Sequence, residues 1–113
     1  MVDRSGRSAF PQLRRGVLEY CVLSALRDGE RYGYELVSNL GELLSSEGTI
    51  YPLLSRLRKD GWVQTNWQES VSGPPRRYYS LTDSGRAALE IFKGEWVRFR
   101  DAVDHNLDTR EKA

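Results

Sequence analysis

The apolar residues of this chain change period twice, and few architectures accommodate that order. From Arg14 to Asp60 they recur three and four apart, in three short blocks closed by Gly29, Gly41 and Gly61. From Trp62 to Thr82 the spacing falls towards two. From Asp83 to about Leu107 it returns to three and four without a break. Period 3.6 marks amphipathic helix and period 2 marks half-buried strand. The chain is therefore read as mainly α with a β-hairpin: three short helices, a hairpin and one long helix.

The first helix spans Arg14 to Asp28, with Val17, Leu18, Cys21, Val22, Ala25 and Leu26 as its apolar positions. The second spans Tyr32 to Leu40, with Leu36, Val37 and Leu40. Ser45 and Ser46 offer an N-cap to a third, Glu47 to Asp60, striped by Ile50, Leu53, Leu54 and Leu57. Only a few residues join the second helix to the third, as in a helix-turn-helix core. Trp62–Gln68 and Arg77–Thr82 read as strands, and Ser70–Arg77 as the turn between them, with Gly73-Pro74-Pro75-Arg76-Arg77 at its tip. Thr82, Asp83 and Ser84 cap the last helix, whose seam is Leu89, Phe92, Trp96, Phe99 and Val103. Together these predict a winged helix-turn-helix over residues 14–82, followed by a long C-terminal dimerisation helix over 83–107. Residues 1–13 are expected to form a flexible arm, and residues 108–113 a frayed tail.

Composition removes other classes. The chain has 113 residues, 39% of them hydrophobic, which supports one domain with a core. One His and one Cys, His105 and Cys21, exclude a His/Cys zinc cluster and weigh against a Cys–His nucleophilic pair. No phosphate-binding or nucleophile-elbow motif occurs. No enzymatic role, cofactor or metal is expected. No apolar run approaches the roughly 18 residues of a membrane span, and no secretory leader is visible, so the expected home is the reducing cytoplasm. Net charge is +1. It is unevenly placed: Ser45–Arg77 carries five Lys/Arg against three Asp/Glu, whereas Asp83–Ala113 carries six against seven.

Four motifs, in this order, resemble the PadR family of transcriptional regulators: Tyr32-Gly33-Tyr34-Glu35-Leu36, the run Gly48-Thr49-Ile50-Tyr51-Pro52-Leu53-Leu54-Ser55-Arg56-Leu57, Asp60-Gly61, and Gly73 through Gly85. The resemblance covers roughly Arg14 to Leu107, and the short chain is similar to the compact subgroup with a single C-terminal helix. It implies a sequence-specific DNA-binding regulator, a repressor, acting as a homodimer on a near-palindromic operator in double-stranded DNA.

On that reading the third helix enters the major groove by its N-terminal half. Gly48, Pro52, Ser55 and Lys59 lie opposite its apolar stripe, with Tyr51 to one side and Arg56 to the other. Ser45, Ser46 and Thr49 supply hydroxyls for phosphate or base edges, and Glu47 could accept from a cytosine amino group or repel phosphate. Pro52 is either a tolerated first-turn proline or a contact to the duplex. At the wing, Arg76 and Arg77 follow Gly73-Pro74-Pro75, and Pro74 and Pro75 stiffen the loop that presents the two arginines to a phosphate or a narrow minor groove. Tyr34, like Tyr32, either packs or hydrogen-bonds phosphate. Of Tyr78 and Tyr79, one must face inward.

Phe92, Trp96 and Phe99 on one side of the last helix are too much apolar surface for solvent. Either that helix pairs with a second copy, the expectation here, or it folds back on the first helix. The family resemblance adds a candidate pocket at Phe92 and Trp96 for a small, flat hydrophobic or aromatic effector. The rival reading is a winged-helix protein–protein module without DNA binding, since fold alone does not settle function.

Overall fold

The computed structural model describes residues 8–108. In chain order the elements are α1 (Phe10–Arg14), α2 (Leu18–Ala25), β1 (Arg31–Tyr32), α3 (Gly33–Leu40), α4 (Ile50–Lys59), β2 (Val63–Ser70), β3 (Gly73–Leu81) and α5 (Asp83–Leu107). Single 3-10 turns at Gly41–Leu43 and Glu47–Thr49 lie between α3 and α4. The three strands form an antiparallel sheet in the order β1-β3-β2. This is the expected winged helix-turn-helix with a long C-terminal helix.

The core is built where three apolar stripes meet. Leu36 and Leu40 of α3 and Ile50, Leu53, Leu54 and Leu57 of α4 pack on Val22 and Leu23 of α2 and on Leu26 just after it. Val63, Tyr79 and Leu81 close it from the sheet, and Leu89 closes it from α5. Leu23, fully buried, is absent from the stripe read for the first helix. That helix is covered from two sides, by α3 and by α5, so its buried surface is wider than one stripe.

Several boundaries differ from expectation, each for a local reason. The first helix begins at Leu18, not Arg14, because Gly16 sits at φ +85° and breaks the run. Part of the arm expected over residues 1–13 is helical: Phe10–Arg14 makes a short turn with Pro11 in its first positions, where proline costs no hydrogen bond. Residues 1–7, and the tail beyond Asp108, lie outside the described residues. β1 was not anticipated. It is two residues long, paired Arg31 to Tyr79 and Tyr32 to Tyr78, too short for periodicity to reveal. Arg31 ties it back to α2, its Nε donating to the Ala25 carbonyl at 2.8 Å.

The root of the wing and the start of α5 interlock. The Thr82 hydroxyl donates to the Gly61 carbonyl at 2.6 Å and accepts from the Gly85 N–H at 3.0 Å, capping α5. A Cβ on Gly85 would stand 2.0 Å from the Trp62 carbonyl oxygen. Only glycine lets α5 start this close to the strand. From there α5 runs 25 residues, about 37 Å at 1.5 Å per residue, and gives the molecule a long axis of 58 Å.

Candidate nucleic-acid interface

The geometry of α4 follows from its apolar stripe. Ile50, Leu53, Leu54 and Leu57 are buried, so Gly48, Tyr51, Pro52, Ser55, Arg56 and Lys59 are left facing solvent. Thr49 is the N-cap of α4, which puts Pro52 in its first turn. The N–H that proline lacks would have had no intrahelical partner there, so Pro52 costs no hydrogen bond and needs no kink.

The predicted Ser45–Ser46 side-chain cap does not form. Ser46 precedes the 3-10 turn without a side-chain cap bond, and its carbonyl instead accepts from the Thr49 N–H at 3.1 Å. The hydroxyls bond one another: Ser45 Oγ lies 3.0 Å and Ser46 Oγ 3.2 Å from Thr49 Oγ1. Three hydroxyl groups thus cluster at the exposed start of the helix. Each keeps hydrogen-bonding capacity for an incoming oxygen or nitrogen.

Arg56 is not free. Its guanidinium pairs with Glu19 of α2. Tyr34 is 63% exposed. Tyr51 is exposed on one side, while its hydroxyl end lies over Gly33, where a Cβ would be 2.1 Å away. Tyr32 packs, its ring edge-on to Tyr78 at 5.4 Å. Of the strand pair, Tyr79 is the inward residue and Tyr78 the outward one.

The wing corrects the sequence reading most. The turn is Val71-Ser72, and Gly73-Pro74-Pro75-Arg76-Arg77 is not its tip but the first half of β3. Ser70 pairs with Gly73 and Gln68 with Arg76, so Pro74 and Pro75 together oppose the single residue Glu69. This is a bulge, one of the few places in a sheet that tolerates residues lacking an N–H. Arg76 and Arg77 are therefore successive strand residues on opposite faces. Arg76 is exposed, its guanidinium 4.5 Å from the Tyr32 ring centre. Arg77 lies between Trp67 and Tyr79, 5.7 and 5.8 Å from their ring centres. Its Nε is buried without an acceptor among the described residues.

On α5 the predicted seam splits. Leu89 is 2% exposed and belongs to the core of its own chain. It cannot also form the face offered to a second copy. Phe92 stacks on Tyr20 of α2 with ring centres 4.1 Å apart, so the fold-back on the first helix holds for this end. Beyond it Trp96, Phe99 and Val103 are 38, 63 and 37% exposed. Trp62, Tyr20, Phe92, Trp96 and Phe99 form one run of neighbouring rings. An open cavity of about 420 Å³ lies among Leu13, Val17, Cys21, Phe92 and Trp96. A second, of about 450 Å³, lies among Leu13, Trp96, Phe99 and Val103. Burial pushes the Cys21 thiol above its ordinary value. The Tyr20 phenol is raised too, by burial first and then by Glu19 and Glu95. Among the described residues no group of three His, Cys, Asp or Glu could hold a metal ion, and no helix is long and apolar enough to cross a membrane.

A helix-turn-helix with an exposed, hydroxyl-lined second helix and an arginine-bearing wing defines the winged-helix class. The comparisons make this specific. Residues 22–91 match the Transcriptional regulator PadR-like family. The chain is 42% identical to a PadR-like transcriptional regulator from Bacillus cereus, covering 88% of this chain and 99% of that one, with a TM-score of 0.76. A PadR family regulator from Eggerthella lenta is 37% identical, covering 88 and 89%, with a TM-score of 0.77. Over 80 residues the chain is 35% identical to the negative transcriptional regulator PadR of Bacillus subtilis, spanning 65% of this chain and 43% of that longer one. The chain belongs to the PadR-like family of transcriptional regulators.

Proposed function

We propose that the chain is a repressor that binds operator DNA as a homodimer. The observation that carries this reading is α4: one face is locked in the core, and the other presents Gly48, Thr49, Pro52 and Ser55 beside the Ser45–Ser46–Thr49 hydroxyl cluster. Small residues allow close approach to base edges, and the hydroxyls serve base or phosphate. Tyr34 and Tyr51 flank this face, and Arg76 on the wing supplies a cation to the adjoining phosphates or minor groove. Arg56, held by Glu19, is a weaker phosphate ligand. The exposed part of α5, from Trp96 to Val103, buries itself against a second copy. Two α4 helices then sit about 34 Å apart, one duplex turn, and read a near-palindrome. A flat hydrophobic effector fits the cavities beside Phe92 and Trp96. It shifts DNA affinity only by binding one arrangement of the two protomers better than the other. The repressor reading is supported by the negative regulator among the relatives.

The test is a gel-shift titration at two salt concentrations, on duplexes selected from a random pool. Submicromolar binding that weakens steeply with salt and prefers the selected sequence is expected. Indifference to every duplex, even in dilute buffer, overturns the reading and favours a protein–protein module.

A further inference from the structure

The α4 face does not end at α4. A groove of about 370 Å³ is lined by Thr49 and Pro52 at the start of α4, by Arg56 in its last turn, by Arg14 and Arg15 from the end of α1, and by Glu19. Three arginines line this groove with one glutamate, and the glutamate's carboxylate is already engaged by Arg56. Two positive charges remain without a carboxylate partner among the groove's own residues. Gly16 makes this possible: its φ of +85° turns the chain between α1 and α2 and leaves Arg14 and Arg15 beside Pro52 rather than continuing a helix. Arg14 keeps its place partly by lying over the Phe10 ring, 5.5 Å from its centre.

We propose that Arg14 and Arg15 clamp a DNA phosphate flanking the bases read by α4. This deepens the operator-binding reading and rests on it. Guanidinium groups match phosphate oxygens in a planar, paired geometry. Because Thr49 and Pro52 line both this groove and the exposed face of α4, a phosphate held here belongs to the strand that α4 docks against. Arg56, fixed by Glu19, walls the groove. The contact touches no base, so it sets affinity and register, and α4 alone sets the sequence.

The experiment compares wild type with Arg14→Gln/Arg15→Gln and Arg14→Lys/Arg15→Lys on two duplexes: one selected from a random pool by the wild-type protein, and one unrelated. The Gln pair is expected to lose roughly ten- to a hundred-fold in affinity for both duplexes. The slope of log affinity against log salt should become shallower by about 1 per bound protomer, since one phosphate is no longer neutralised. The ratio of affinities between the two duplexes stays unchanged. The Lys pair keeps the charge and so the slope, and loses only the part of the affinity that the paired guanidinium geometry supplies; a Lys pair with a slope as shallow as the Gln pair's overturns the clamp. So does a Gln pair with wild-type affinity and slope, or one that changes the ratio between duplexes. Inorganic phosphate, exchanged for chloride at equal ionic strength, is expected to leave DNA binding unchanged. Wild type that binds neither duplex fails the operator reading itself.

Discussion

Two helices of this molecule carry the same three-and-four spacing of apolar residues and meet opposite fates. All four stripe residues of α4 are buried within the chain. Of the five in α5, Leu89 is buried, Phe92 is half-buried against Tyr20, and Trp96, Phe99 and Val103 face solvent. Periodicity tells which side of a helix is apolar. It does not tell what covers that side. The difference comes from length: α4 ends at Lys59 beside the core, whereas α5 runs on for several turns after Leu89 has reached it.

The largest expected contrast follows directly. Leu54→Ala removes a fully buried side chain and should cost about 2–5 kcal/mol of unfolding free energy. Phe99→Ala, at 63% exposure, should leave the unfolding of a dilute, monomeric sample within about 0.5 kcal/mol of wild type. Its effect should instead appear in sedimentation equilibrium, as a weaker self-association. Urea unfolding of both variants checks the pair. Equal losses would mean that α5 is covered by its own chain and that the contrast is false.

Gly85 is where the two regimes join. Alanine there meets the Trp62 carbonyl, a backbone atom that cannot swing aside. The start of α5 must shift, at a cost of about 1–3 kcal/mol by overpacking. Because Thr82, Gly61 and Trp62 share the junction, Gly85→Ala should also loosen the wing root, visible as faster amide exchange in β2. Gly94, where a Cβ would meet nothing within 4 Å, is the control: Gly94→Ala should be neutral or stabilising, since alanine is the better helix former.

The wing repeats the contrast on a smaller scale. Arg76→Ala removes an exposed cation, and should weaken DNA binding and flatten its salt dependence while costing only about 0.5 kcal/mol of stability from its solvent-exposed contact with the Tyr32 ring. Arg77→Ala empties the space between Trp67 and Tyr79, and should cost about 1 kcal/mol of stability, typical of a partly desolvated cation–π contact. Its direct effect on the salt slope should be smaller. Thermal unfolding and gel-shift titration of the two single variants separate the roles. A swap of the two outcomes would mean that the inner face of the wing meets the duplex.

These residues show what was legible. The α4 stripe, the order of elements and the terminating role of Gly61 follow from period and backbone sterics alone, and Gly61 indeed sits at φ +79°. The wing tip was misplaced because Gly-Pro-Pro is a turn signal in isolation. Here a bulge opposite Glu69 absorbs the prolines and lets the strand start early. The pairing of Arg56 with Glu19 spans 37 positions, and the groove formed by Arg14 and Arg15 likewise needs the tertiary fold. β1 exists only because β3 is there to receive it. None of these leaves a trace in local spacing.

The smallest effect tests whether the root of α5 is as tightly covered as the half-burial of Phe92 implies. Cys21 and Tyr20 both face this region, and burial raises both above their ordinary values, 9.0 and 10.0. In the folded chain each therefore holds its proton to higher pH than in the unfolded chain. Stabilisation by these groups is complete below their unfolded values and is lost as pH rises through the folded ones. Unfolding free energy should accordingly be insensitive to these two groups at pH 7–8 and should fall above about pH 9, the ordinary thiol value. Cys21→Ala should remove the earlier part of that fall. Iodoacetamide should modify folded Cys21 more slowly than a free thiol at pH 8.5. If the folded thiol reacts at the free rate, water reaches it, and the cavity beside Phe92 and Trp96 is open in solution well into the core.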